Sequence, residues 1–375
     1  MNNFSKTVVL LTSLGFAAAT NAEVRINGFA NLVGGITSSD DALYGYDDSF
    51  SFKSESSFAL QVSADINDKM TATGQIIARG EDDYDAEFEW AYFTFNATDH
   101  VSISAGRLRL PLFKYSASRD VGYSYHWVNT PRAVYAVPFN NLDGVRVDYA
   151  NYAGDWEYNL QLAVGTFSGD NDLGDVEGKN VIVGTAEVQK DWFKARVVAG
   201  RGKTTIDADA VSNIINALAQ ISPELANDLD LRDDSGLFLG VGLEADFYDW
   251  FISGEFTSIN AEDSFSPEDK AFYITAGLRF GAFTPSVTYE KLDGRGEIRF
   301  LDKVAALPVA FQPAATAAVV GLQQAVADEY EVLTLGVRYD YDTNIALKAD
   351  ISSYTSDIDD SLDSGLLRFA VNYIF

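Results

Sequence analysis

Leu237-Phe238-Leu239-Gly240-Val241-Gly242-Leu243-Glu244-Ala245-Asp246-Phe247 reads with a period of two. Leu237, Leu239, Val241, Leu243, Ala245 and Phe247 fall on one face, and Phe238, Gly240, Gly242, Glu244 and Asp246 on the other. Successive side chains of a strand point to opposite faces, so this run sets one face in an apolar medium and the other in a polar one. The same alternation runs through 58–66, where Phe58, Leu60, Val62, Ala64 and Ile66 interleave with Ala59, Gln61, Ser63 and Asp65. After a turn at Asn67-Asp68 it resumes over 70–79.

Working outward, the pattern predicts about sixteen strands. They lie near 24–36, 52–66, 69–80, 86–96, 100–110, 142–151, 155–167, 179–190, 192–203, 236–247, 249–259, 270–281, 282–292, 329–341, 343–354 and 364–375. Several exceed the five or six residues of an ordinary globular strand and match tilted membrane-crossing strands. Their joins alternate in length. Asn67-Asp68, Ala97-Thr98-Asp99, Asp191, Tyr248, Gly281-Ala282 and Asp342 mark tight turns, whereas 37–51, 81–85, 111–141, 168–178, 204–235, 260–269, 293–328 and 355–363 are mostly long. That rhythm predicts an all-β fold, an antiparallel transmembrane barrel with short periplasmic turns and long external loops. Trp156, Trp192, Phe247, Tyr248, Trp250, Phe280, Phe283 and Tyr341 cluster beside the short joins, as amphipathic rings do at a membrane–water boundary.

Composition bounds the rest. A net charge of −28 argues against nucleic acid, and the absence of cysteine means that the fold needs no disulfide. Residues 1–22, with Lys6, a short apolar core and small residues before Glu23, read as a cleaved secretory signal, leaving 23–375 as the barrel. The charge-free stretch 304–327 is long enough to span a membrane as a helix, but Pro308 and Pro313 interrupt it and alanine dominates. It is expected to be a long loop with some helix. Val211, Ile214, Ile215, Leu218 and Ile221 predict a short helix in the fifth external loop, at the mouth.

In the last strand Leu367, Phe369, Val371, Tyr373 and Phe375 occupy every second position. This end resembles that of Gram-negative outer-membrane porins, whose final strand is read by the barrel-assembly machinery. A second resemblance lies at 106–149, where Gly106-Arg107-Leu108-Arg109-Leu110-Pro111 closes one strand and Leu142-Asp143-Gly144-Val145-Arg146 opens the next. The long segment between them is similar to the porin loop that folds inward and narrows the channel. The resemblance implies a sixteen-stranded, usually trimeric porin in outer-membrane lipid and lipopolysaccharide, passing small hydrophilic solutes. It implies a constriction loop carrying Lys114, Arg119, Asp120, Tyr123, Tyr125, His126 and Arg132.

Parity assigns Arg25, Lys53, Arg79, Arg146, Arg338, Lys348 and Arg368 to the lumen, since a lipid-facing charge near the midplane costs ~2–4 kcal/mol. These form either a basic arc facing the loop or ordinary lumen salt bridges. Inward acids such as Glu55, Glu244, Glu255, Glu290 and Asp350 are interspersed. Arg107 and Arg109 share parity with Val101 and Ile103, so either Gly106 marks a bulge or both sit above the membrane.

No catalytic centre is legible. His100 near Ser102 lacks an orienting group and an oxyanion hole. Gly200-Arg201-Gly202-Lys203-Thr204 lacks the first glycine of a phosphate loop, and the acidic turn at 170–175 lacks the closing glutamate of a calcium loop. Neither a cofactor nor a metal is expected. A passive diffusion pore is the leading expectation, with a channel specific for phosphate or sugars as the alternative. An adhesin or an enzyme on a barrel scaffold ranks below both.

Overall fold

A computed structural model describes residues 23–375 except 41–42, 172–173, 262–264 and 267; the signal segment expected at 1–22 lies outside the described residues. Sixteen antiparallel strands close on themselves, each paired with its sequence neighbours and the last with the first. They are β1 (Val24–Thr37), β2 (Ser57–Asn67), β3 (Met70–Arg79), β4 (Ala86–Asn96), β5 (Val101–Arg109), β6 (Asn141–Ala153), β7 (Trp156–Asn171) and β8 (Gly174–Lys190). The second half is β9 (Phe193–Asp207), β10 (Asp234–Phe247), β11 (Trp250–Ala261), β12 (Asp269–Leu278), β13 (Phe283–Asp293), β14 (Glu329–Asp342), β15 (Ile345–Ser356) and β16 (Ser364–Ile374).

The alternation in the sequence becomes the two faces of this wall. Leu239, Val241 and Leu243 are exposed on the outside while Phe238, Gly240 and Gly242 are buried inside. Leu367, Phe369, Val371 and Tyr373 point outward as Arg368, Ala370 and Asn372 point into the lumen. A ribbon with an apolar outer face and no free edge satisfies every ladder hydrogen bond internally, as a lipid environment demands. At the short-turn rim Trp192 stacks on Phe247 at 4.9 Å, Phe247 on Trp250 at 4.4 Å, and Phe283 lies 4.6 Å from Tyr339.

Three expectations need correction. The second strand starts at Ser57 rather than 52, so Lys53 lies in the preceding long connection, where it pairs with Asp83. The join at 168–178 is no long loop: β7 and β8 continue as a paired ribbon up to Asn171 and Gly174, because the ladder keeps its partners beyond the belt. The helix expected in the fifth loop is two, Asp209–Ala219 and Pro223–Asp228, since Pro223 fits only a first turn. The 304–327 stretch is helical over Gln312–Val326. These helices share a small core of their own, including Ile215, Leu225, Leu229 and Val319, at the long-connection rim.

Candidate functional site: the lumen and its inward loop

Gly106 and a bulge in β4 set the geometry of the lumen. The β3–β4 register slips between Gln75 and Ile76, and both Glu89 and Trp90 become buried while Phe88 and Ala91 stay exposed. An extra residue in one strand lets adjacent side chains face the same way. Gly106 adopts φ +135°, a region that favours glycine, and a Cβ there would meet the Ala91 carbonyl. Of the two possibilities open for Arg107 and Arg109, the register places the bulge opposite rather than at Gly106, and Arg109 reaches the lumen, its guanidinium 5.3 Å from the Trp90 ring.

The segment between β5 and β6 then folds into the barrel. It leaves at the long-connection rim, yet the Tyr123 hydroxyl donates to the Thr343 carbonyl (2.8 Å) in the tight turn after β14, at the opposite rim. Along its path it is held by the wall from β11 to β15. The Lys114 amide donates to Glu255 (2.6 Å), Tyr135 donates to the other Glu255 oxygen (2.6 Å), and the Ala133 amide donates to Glu290 (2.8 Å). His126 bonds Thr275 (2.9 Å) and Trp127 donates to Thr288 (2.8 Å). Gly122 lies so close to Asn31 and Asn372 that a Cβ would overlap both.

The basic residues expected on the wall are mostly consumed by this docking. Arg338 donates to the Tyr123 (2.5 Å) and Tyr125 (2.8 Å) carbonyls, and Lys348 donates to those of Gly122 and Trp127 (2.6 Å). Arg368 is shared between Glu55 (3.0 Å) and Asp350 (2.9 Å), and Arg132 of the loop reaches the same Glu55 (3.3 Å). Arg25 pairs with Asp65 (2.6 Å) near the short-turn rim, and Arg146 pairs with Asp148 (2.9 Å). The side chains thus act as donors to loop carbonyls and carboxylates rather than as an array of unpaired charges facing the loop. Lys114 pairs with Glu244, and the Tyr125 hydroxyl donates to the Arg119 carbonyl (3.0 Å). His100 stays at a tight turn, its ring bonded to the Ala150 carbonyl (3.1 Å).

Asp120 is the centre of what is left. It pairs with Arg109 and lies 3.5 Å from Arg79; these two arginines also share Glu89, which is 2.8 Å from Arg109. Burial raises the Asp120 carboxyl, but Arg109, Arg79 and Arg119 outweigh it and hold the group below the ordinary aspartate value. Arg119 donates to Asn140; burial and the crowding of Arg109, Arg132 and Arg79 lower its value against the opposing pull of Asp120. Glu89 and Trp90 were not singled out by the sequence, because strict alternation cannot place both inside; only a local slip could.

Two polar cavities meet this lattice from opposite sides. One of about 490 Å³, toward the long connections, is bordered by Glu55, Arg79, Arg107, Arg119, Asp120 and Arg132. The other, of about 300 Å³, is bordered by Arg109, Lys114, Arg146, Asp148, Glu187 and Arg196. Charged walls thus flank the ion-paired lattice on both sides. No group of His, Cys, Asp and Glu suited to a metal occurs among the described residues.

A closed, sixteen-stranded barrel with an inward loop is the architecture of outer-membrane porins. No family model matches the sequence, and no curated protein is similar to it. Solved structures share the fold. The outer-membrane channel DcaP of Acinetobacter baumannii aligns with a TM-score of 0.59 at 12% identity, over 96% of this chain and 99% of its own. The anion-selective porin from Comamonas acidovorans gives 0.56 at 11% identity, over 95% and 100%. The trimer form of OmpT, an outer membrane protein of Vibrio cholerae, gives 0.54 at 11% identity, over 95% and 100%.

Proposed function

We propose that the chain is a passive diffusion channel of a Gram-negative outer membrane, passing small hydrophilic solutes and ions rather than performing catalysis. The observation that carries this reading is the pair of polar cavities flanking the Arg79–Glu89–Arg109–Asp120 lattice, inside a wall whose outer face is apolar. The inward loop narrows the hole and fixes its charge, and solutes move down their gradients through what remains. In this reading Arg79, Arg107, Arg119, Asp120 and Arg132 line the narrow part, and Arg146 lines the lower chamber.

The same proposal takes residues 1–22 as a cleaved secretory signal, Phe375 as the mark for the barrel-assembly machinery, and lipid and lipopolysaccharide as the surroundings. It takes a homotrimer as the working assembly, supported by the trimer form known for the Vibrio cholerae protein. Recording the purified protein in a planar bilayer tests the whole. Step conductances in groups of three support it; a folded, inserted protein that carries no current refutes the channel.

A second reading, a channel specific for phosphate or other small anions, is favoured by one observation: Arg119 is crowded by Arg109, Arg132 and Arg79. Current that saturates with phosphate and is blocked by it separates this reading from open diffusion.

A further inference from the structure

The lumen holds a third cavity that a path for hydrophilic solutes does not need. It measures about 240 Å³ and lies between the inward loop at 136–139 and the inner face of β7 to β11. Its walls are carbon: Leu112 and Phe139 from the loop, Phe167, Val181 and Val183 from β7 and β8, and Phe238 from β10. The Phe139 ring stacks on Phe167 at 4.6 Å, and Phe238 meets Phe113 edge-on at 5.8 Å. Gly178 makes room for this lining, since a Cβ there would overlap the Phe167 ring. Inward positions of a water-filled barrel are expected to be polar, and each apolar side chain left facing water there costs ~25 cal/mol per Å². A roomy apolar chamber beside a hydrated one either stays dry or takes an apolar guest.

Charge says which guest. Asp234 and Asp269 border the chamber, and Asp269 lies within electrostatic reach of Asp293 and Asp328. Arg201, the one basic residue among the described residues that border it, shares parity with the outward-facing Val197 and Ala199, so its side chain leaves the wall on the other side, and the inward Arg196 is taken up by the Pro111 and Leu112 carbonyls. An apolar pocket with an acidic border complements a molecule with a carbon body and a cationic head.

We propose that this chamber binds small organic ammonium ions bearing an aromatic or branched alkyl body. The ring sits among Phe139, Phe167, Val183 and Phe238 while the ammonium faces Asp234 and Asp269. The site rests on the proposed channel only in that solutes must reach the lumen from the long-connection side, so its test reads binding and not current.

The full chain, folded in detergent, is titrated with benzylamine by calorimetry, with methylamine, benzoate and empty micelles as references. Saturable benzylamine binding at least about tenfold tighter than that of methylamine or benzoate is expected. The double substitution Val183→Ser/Phe238→Ser, checked for the heat-resistant gel migration of a closed barrel, weakens it by about tenfold or more. Val181→Thr, nearly the same shape, weakens it about threefold and serves if the pair does not fold. Benzoate binding as tightly as benzylamine, uptake no greater than by empty micelles, or unchanged affinity in a folded variant overturns the proposal. Saturable binding by a protein that conducts nothing upholds the site and removes the channel; conduction without binding does the reverse.

Discussion

The phenol of Tyr123 donates a 2.8 Å hydrogen bond to the carbonyl of Thr343, in the tight turn that follows β14. A segment that enters at one rim is tied at the other, so it is fixed at both ends of its course. Tyr123→Phe removes the tie and leaves the Arg338 guanidinium, 4.7 Å from the ring, in place. One such bond contributes about 0.5–1.5 kcal/mol, so the loop spends roughly two to ten times longer displaced. Single-channel records of the variant are expected to show more frequent current flicker at unchanged folding.

Asp120→Asn deletes the negative charge that Arg109 and Arg79 face and keeps the shape. Arg79 and Arg109 then retain Glu89 between them and the constriction gains one positive charge. The cation-to-anion permeability ratio is expected to fall by about two- to threefold, read as a shift in reversal potential across a salt gradient. An unchanged reversal potential places the narrow part elsewhere.

His126 makes loop docking sensitive to pH. Burial lowers its value well below 6.5, and the positive charges of Lys348, Lys114, Arg338 and Arg279 add to that. A depressed folded value means that the unfolded chain binds the proton more readily. The stability is therefore complete above about pH 6.5 and is lost as pH falls below it. Thermal unfolding at pH 7.5 and pH 5 is expected to differ by about 1–2 kcal/mol more in the native protein than in His126→Gln.

Gly122→Val places a branched side chain where Asn31 and Asn372 stand. The wall cannot yield without opening the β1–β16 ladder, so the loop is expected to lift while the barrel still closes. Larger conductance with normal heat-resistant migration supports this; a native conductance refutes the close approach.

Deleting 208–230 removes both helices of the fifth loop and exposes Val319 and Leu322 of the partner helix. The strands β9 and β10 pair without them. Altered conductance from a closed barrel is the expected result, whereas failure to form the barrel contradicts a capping position.

The strands were legible because lipid enforces parity: Leu239, Val241 and Leu243 have one environment available, and Glu244 another. The loop was legible from its length and its neighbours, and Lys114, Asp120, Tyr123, His126 and Arg132 all fall within it. What stayed hidden depends on long-range contact. Nothing local says that Arg338 and Lys348 spend their protons on loop carbonyls, or that a slip at Glu89-Trp90 turns two adjacent residues inward. The apolar lining of Phe167, Val181 and Phe238 was hidden for a related reason, because apolar residues on both faces of a strand carry no periodicity.

Asn31 of the first strand bonds Asn372 of the last at 2.9 Å, and the same Asn31 amide holds the Asp120 carbonyl at 2.7 Å. The zipper that shuts the cylinder and the stopper seated within it therefore share a button. Its oxygen serves the seam and its nitrogen the stopper, so loss of this one side chain loosens both at once.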